Sequence, residues 1–136
     1  MRTISKIIIH HSASPNSTTL AEIDRWHRKR GYEGIGYHYV VEDDGAVLKG
    51  RDLARQGAHC KGANRDSIGI CVTGDNTKPE SRWNKDQIVG LVNILTELLA
   101  RFGPLAILGH RDVPGSATLC PGLDVRQLLR DRIYVD

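Results

Sequence analysis

Two histidines and one cysteine in this chain are side chains that commonly bind divalent metals, although they lie far apart in the sequence. His10 follows the apolar run 7–9, His110 follows the apolar run 106–109, and Cys120 lies in a loop rich in proline and glycine. Two imidazoles and one thiolate leave the fourth tetrahedral position open, as in catalytic rather than structural zinc sites. Such an ion acidifies water and polarises a carbonyl, so the three residues point to metal-assisted hydrolysis.

Spacing alone leaves other interpretations of these residues open. A histidine at the end of a strand is more often a satisfied polar residue than a ligand, and a cysteine after a loop is more often a buried thiol. His11 also competes with His10 as a ligand. Neighbouring strand residues face opposite sides of a sheet, so only one of the two can point into a given site. The pattern does not decide which one.

The hydrophobic pattern predicts the elements that must position these residues, in the order β-α-β-β-β-α-β-α. Helices are predicted after the capping box of Thr19 and Glu22, from Asn84 to before Gly103, and from Asp124 through Leu129. Strands are predicted at residues 6–9, 37–42, 46–49, 67–73 and 105–108. This order indicates an α/β fold with a central mixed β-sheet flanked by helices. Neighbouring strands could then bring His10 and His110 together.

Two further expectations concern the first helix and the cysteines. Leu20, Ile23 and Trp26 share one helix face, whereas His27 lies among basic residues and is expected at the surface. The three cysteines are an odd number without disulfide-framework spacing, so we expect free thiols or ligands.

Composition limits the function classes. A chain of 136 residues suits one domain, residues 1–136, and is too short for a second binding domain. The net charge of +3 and the pI of about 8.9 fit an anionic polymer as partner but fall short of a dedicated nucleic-acid binder. The chain has no apolar run of membrane-spanning length and no signal peptide, so we expect it to fold in the cytosol, as a monomer.

Seven short segments carry a family resemblance, and they occur in the order typical of that family. They are residues 9–13 (IHHSA), 36–39 (GYHY), 50–51 (GR), 57–59 (GAH), 64–70 (NRDSIGI), 109–112 (GHRD) and 120–122 (CPG). Through them the chain resembles the type 2 N-acetylmuramoyl-L-alanine amidases, which include small phage lysozymes of amidase type and animal peptidoglycan recognition proteins. The resemblance covers nearly the whole chain and implies the family fold, with zinc in a surface groove.

The resemblance also implies roles for individual residues. It implies Zn²⁺ as cofactor, bound by His10, His110 and Cys120, and therefore selects His10 over His11. It implies a catalytic role beside the zinc for Tyr37, and for Thr118 a role in supporting an oxyanion or orienting water. Phage members carry lysine where Thr118 stands, active animal members often carry threonine, and the loop from His110 to Cys120 is two residues longer than usual.

The implied substrate is bacterial peptidoglycan, cut at the amide between N-acetylmuramic acid and L-alanine. The resemblance suggests substrate contact for His59; Asn64 and Arg51 either hold the loop of His59 or touch the substrate. It implies a phage or prophage endolysin without a separate cell-wall-binding domain, which stays in the host cytosol until the membrane is permeabilised. By family analogy alone, a phage RNA polymerase is a further possible partner.

Overall fold

A computed structural model describes the backbone of residues 2–135 and the side chains of residues 2–132. Its elements follow the predicted order. They are β1 (Lys6–His11), α1 (Leu20–Lys29), β2 (Tyr39–Val41), β3 (Val47–Lys49), β4 (Ser67–Val72), α2 (Lys85–Phe102), β5 (Ala106–Gly109) and α3 (Val125–Val135). Short 3₁₀ turns precede β4 and α2 and follow β5.

The five strands form one mixed sheet in the order β3-β2-β4-β1-β5. β1 lies between β4 and β5 and is parallel to both, and β2 is parallel to β4. Only β3 runs antiparallel, joined to β2 by a hairpin whose turn contains Gly45 at a φ of 86°. Parallel pairing brings the carboxyl ends of β1 and β5 to the same edge, so the predicted mixed sheet is confirmed with His10 and His110 at neighbouring strand ends.

Helices cover both faces of this sheet, and each face buries a different set of side chains. Ile7 and Ile9 of β1 face α2 and α3, where the main core contains Leu91, Ile94 and Leu98. The intervening Ile8 faces the other side, which α1 and the loop between β3 and β4 cover. His10 shares the face of Ile8 because strand side chains alternate. The metal-ligand candidates therefore lie on the side of α1, opposite the main core.

Local capping signals set the helix starts. Thr19 and Glu22 form the predicted capping box of α1, and Asn84 forms one with Gln87 at the start of α2. The expectation that His27 lies at the surface was wrong, because His27 is buried and packs behind Tyr37; Trp26 is 38% exposed. His27 follows Leu20 and Ile23 at helical spacing, so the helical periodicity indicated that His27 is buried, despite its basic neighbours.

Candidate metal centre

The side chains of His10, His110 and Cys120 converge at the carboxyl ends of β1 and β5. Their ligand atoms all lie within 4.8 Å of one another. His10 Nδ1 lies 3.8 Å from Cys120 Sγ, and the rings of His10 and His110 have centroids 4.8 Å apart. Nitrogen and sulfur ligands on one tetrahedral zinc stand about 3.6 Å apart, given bond lengths of about 2.1 and 2.3 Å. The donor set and its spacing therefore fit a zinc ion.

His11 points away from this cluster, although its backbone takes part in it. The backbone N–H of His11 donates to Cys120 Sγ at 3.4 Å. Its imidazole lies on the opposite face, where Nδ1 accepts the N–H of Asn76 at 3.2 Å and stands 3.8 Å from an Asp75 oxygen. Because side chains alternate along β1, His10 points into the cluster and His11 points to the opposite face of the sheet.

Burial favours the neutral form of all three candidate ligands. It lowers the pKa of His10 well below its usual value, with nearby imidazoles adding to the effect, and it also lowers the pKa of His110. Burial raises the pKa of the Cys120 thiol to about 12, and the His11 N–H only partly offsets this. The imidazoles are therefore ready to bind a cation, whereas the thiol must release a proton when a cation binds.

Tyr37 stands directly against the cluster, with its ring centroid 5.0 Å from that of His10. It precedes β2 rather than lying inside it, so the predicted strand start at residue 37 was wrong. Burial raises the pKa of Tyr37 well above its usual value, and the neighbouring Cys71 thiol adds to this effect. We assigned no role to Cys71 from the sequence beyond core packing. Register explains its position, because Cys71 pairs with His10 across β1 and β4.

Thr118 lies in the same loop as Cys120, and its side chain is exposed. Its Oγ1 accepts the N–H of Cys120 at 3.1 Å, which fixes the hydroxyl two residues from a candidate ligand. Asp112 plays a similar supporting part, because its carboxylate accepts the N–H of Gly109 at 2.9 Å at the end of β5. The oxyanion role of Thr118 stays a prediction.

His59 lies against His10, with Nδ1 2.8 Å from His10 Nε2 and Nε2 3.2 Å from Ser67 Oγ. Burial lowers the pKa of His59 to about 3, with the nearby rings and cations of other residues adding to the effect. Asn64 holds this loop, because its Oδ1 accepts the backbone N–H groups of His59 and Cys60, both at 2.9 Å. Sequence reasoning did not assign Ser67 to the site, since it reads as an ordinary strand residue.

Arg51 ties the loop that contains His59 to the segment before β2, and it does not contact the three candidate ligands. Its guanidinium donates to the carbonyl oxygens of Ile35 at 3.1 Å and Gln56 at 2.9 Å. The loop-holding alternative thus has direct support for both Asn64 and Arg51. Substrate contact by His59, Asn64 or Arg51 stays a prediction.

A groove of about 410 Å³ opens beside the cluster, and we call it the side groove. Tyr37 and His59 line its inner end, and Arg30 and Lys61 stand on its exposed rim. None of its lining residues is acidic. The groove therefore joins the candidate metal centre to a rim that is positive at neutral pH.

Comparison of the sequence with known families shows which family this chain belongs to. Residues 1–123 match the family model described as N-acetylmuramoyl-L-alanine amidase. This chain belongs to the N-acetylmuramoyl-L-alanine amidase family. The resemblance carried by the seven sequence segments is thereby confirmed, and the amidase match spans every candidate site residue named above.

Relatives of this amidase-family chain come from phages and from animals. The endolysin of Enterobacteria phage T3 is 35% identical over 130 residues, which cover 92% of this chain and 85% of that protein. Peptidoglycan-recognition protein 1 of Holotrichia diomphalia is 31% identical over 128 residues, covering 88% of this chain and 64% of that protein. Among solved structures, the N-acetylmuramoyl-L-alanine amidase LysC from Clostridium intestinale URNW superimposes with a TM-score of 0.87 at 28% identity, covering 99% of this chain and 88% of that one.

Proposed function

We propose that this chain is a zinc-dependent amidase that hydrolyses the amide between N-acetylmuramic acid and L-alanine in bacterial peptidoglycan. The single observation that carries the proposal is the convergence of His10, His110 and Cys120, whose ligand atoms lie within 4.8 Å of one another. Membership of the amidase family supports the choice of bond. The similarity to phage endolysins supports a role in lysis of the host by a phage or prophage.

The three-ligand set is the kind that keeps one zinc position open for chemistry. When bound in such a site, zinc supplies Lewis-acid polarisation of a carbonyl and an acidified water. His10 and His110 would hold it through neutral imidazoles, and Cys120 would hold it as a thiolate. The N–H of His11 donates to that sulfur and stabilises its negative charge.

Hydrolysis of an amide also needs a hydrogen-bond donor for the carbonyl oxygen as it becomes negative. Tyr37 suits this role because its raised pKa keeps the phenol protonated at neutral pH. Thr118 accepts the Cys120 N–H and keeps its own O–H available as a second, neutral donor.

The side groove supports an anionic, extended substrate. The peptide stem of peptidoglycan carries free carboxylates, and Arg30 and Lys61 on the groove rim complement them. The inner end of the groove reaches Tyr37 and His59, beside the proposed metal. A muropeptide lying in the groove would bring its amide to the ligand cluster.

Two expectations about the setting of the reaction stay predictions. One is residence in the host cytosol until the membrane is permeabilised, and the other is inhibition of a phage RNA polymerase. Within residues 2–135, no helix has the length and apolar character needed to cross a membrane. A monomer with one catalytic domain also stays a prediction.

Replacing Cys120 with serine tests the proposal. We expect Cys120→Ser to reduce bound zinc, because a hydroxyl is a poorer zinc ligand than a thiolate, and to reduce amide cleavage to background. Bound zinc is measured by elemental analysis, and cleavage by the new L-alanine amino termini released from purified peptidoglycan. Cys60→Ser is the control for zinc binding, because Cys60 is a buried thiol outside the ligand cluster and its replacement should leave bound zinc unchanged.

Two results would contradict the proposal. Full activity in Cys120→Ser would show that the metal assignment is wrong. Zinc binding without any release of amino termini by the unaltered protein would instead indicate a module that recognises muropeptides without cutting them.

A further inference from the structure

We propose that His59 and Ser67 form a hydrogen-bond relay that fixes the tautomer of His10 and presents its Nδ1 lone pair to the metal. The inference rests on the proposed function, because it assumes that His10 is a ligand. In this account His59 is a positioning residue that acts through His10. We use the name relay for the contacts that run from Ala63 through Ser67 and His59 to His10.

The relay has a fixed direction because it begins at a carbonyl, which can only accept. Ser67 Oγ lies 2.7 Å from the carbonyl oxygen of Ala63, so the Ser67 hydroxyl donates its single proton there. The same Oγ lies 3.2 Å from His59 Nε2. Since its proton is already used, Oγ must accept in this second contact, and His59 must carry its proton on Nε2.

The contact between His59 and His10 then determines which nitrogen of His10 carries the proton. A neutral His59 protonated on Nε2 has a lone pair on Nδ1, which lies 2.8 Å from His10 Nε2. His10 must therefore carry its proton on Nε2, which leaves the lone pair on its Nδ1. That atom is the one that lies 3.8 Å from Cys120 Sγ. Neither ring forms an ion pair with a carboxylate among the residues whose side chains are described, so neither ring is held in its doubly protonated form.

The surroundings of His59 are shaped to hold its ring in this place. A Cβ at Gly69 would stand 2.6 Å from atoms of the His59 ring, and a Cβ at Gly57 would stand 2.7 Å from it. The ring therefore occupies space that only glycine leaves free. Asn64 fixes the backbone of His59 from the other side. These contacts restrict the ring to the orientation that bridges His10 and Ser67.

A fixed tautomer matters because a free histidine can place its proton on either nitrogen. In the wrong tautomer His10 would direct an N–H toward the metal position and could not bind there. Hydrogen bonds to the second nitrogen of a metal-binding histidine typically change metal affinity by about 10–100-fold when they are removed. We expect the relay to contribute an effect in this range.

The test compares two substitutions at residue 59 by zinc affinity, measured by competition with a chelator on folded protein. His59→Ala removes the acceptor and should weaken zinc binding by about 10–100-fold. His59→Asn keeps an oxygen near the position of Nδ1, so it should recover a large part of the loss. His27→Asn is the control, because His27 is a buried histidine that accepts the Gly36 N–H and makes no hydrogen bond to His10; its zinc affinity should not change.

A spectroscopic measurement tests the relay without using affinity. In the zinc-loaded protein, ¹⁵N chemical shifts of the imidazoles should report protonated Nε2 for both His10 and His59. Ser67→Ala removes the acceptor for His59 and should shift the His59 signals toward a mixture of tautomers, while the fold is retained.

Either of two results would overturn the relay. One is a His59 ring protonated on Nδ1 in the unaltered protein, and the other is an unchanged zinc affinity in a folded His59→Ala variant. Both leave the proposed function standing, provided that the unaltered protein binds zinc and cuts peptidoglycan. An unaltered protein that binds no zinc would contradict the proposed function itself, and the relay with it.

Discussion

At the scale of single residues, the site separates groups that bind the metal from a group that acts on the substrate. His10, His110 and Cys120 offer nitrogen and sulfur atoms to one position. Tyr37 lies against His10 but offers an oxygen whose raised pKa keeps its proton in place. Because the phenol is a donor and not one of the ligands, metal binding and catalysis should respond differently to its removal.

Tyr37→Phe should therefore retain zinc and lose activity. Removing one donor from an oxyanion site costs about 10²–10³ in kcat, and we expect a loss in this range. Release of L-alanine amino termini gives the rate, and elemental analysis gives the zinc content. Tyr39→Phe is the control, since Tyr39 packs in the main core on the opposite face. A Tyr37→Phe variant with an unaltered rate would exclude the phenol as the donor.

At the scale of elements, strand β4 supports the site through three residues on one of its faces. Its Gly69 leaves room for the His59 ring, its Ser67 binds that ring, and its Cys71 lies beside Tyr37. These three residues alternate along one strand, so they share one face of the sheet. The opposite face of β4 carries Ile68 and Ile70 into the main core. A change on one face should thus affect the site, and a change on the other should affect stability alone.

Gly69→Ala tests this division. The added Cβ would lie 2.6 Å from the His59 ring, so the ring must move and lose its contact with His10. We expect a loss of about 1–3 kcal/mol in the free energy of unfolding, as for overpacked cores, together with weaker zinc binding. Urea unfolding and chelator competition measure the two effects. Ile68→Val should cost about 0.5–1.5 kcal/mol without changing zinc affinity. Wild-type zinc affinity in Gly69→Ala would show that the ring does not need this space.

Elements with local signals could be predicted from the sequence, whereas those that depend on distant partners could not. The caps of α1 and α2 lie beside the helices they start, and both were predicted. The start of β2 was predicted at residue 37 instead of 39, because the backbone pairing with β3 and β4 sets it. The last helix was predicted to end at Leu129 but continues to Val135, since no glycine or proline stops it.

The candidate site shows the same limit. Residue types and the family resemblance indicated the three ligands, but spacing alone could not choose between His10 and His11. The sequence indicated no site role for Ser67 or Cys71, because that role depends on residues that other strands and loops place next to them in the fold. Only the parallel register of β1 and β4 brings Cys71 level with His10.

At the scale of the whole molecule, this fold buries several histidines without carboxylate partners, and their protonation opposes folding. His38 is the clearest case outside the ligand cluster, since it is almost fully buried. Its Nδ1 accepts the Gly69 N–H at 3.0 Å, and its Nε2 lies 2.9 Å from the carbonyl oxygen of Arg55. Burial lowers the pKa of His38 from 6.5 to about 4.

The metal-free protein should therefore lose stability as the pH falls from about 6.5 to about 4. In this range the unfolded chain binds a proton at His38 that the folded chain does not, so the free energy of unfolding rises with pH. The contribution of His38 should be complete above pH 6.5 and should fall by about 3 kcal/mol at pH 4, at about 1.4 kcal/mol per pH unit. Urea unfolding in the presence of a chelator, repeated across this range, measures the slope.

His38→Asn isolates that contribution from the carboxylates, whose protonation also destabilises the fold in acid. The asparagine oxygen can accept the Gly69 N–H in place of Nδ1, but an amide does not titrate here. The variant should be less stable than the unaltered protein at pH 7, because the shorter side chain does not reach the Arg55 carbonyl. Its disadvantage should shrink as the pH falls toward 4. A difference in stability that is constant from pH 7 to 4 would mean that His38 has the same pKa in the folded and unfolded chain.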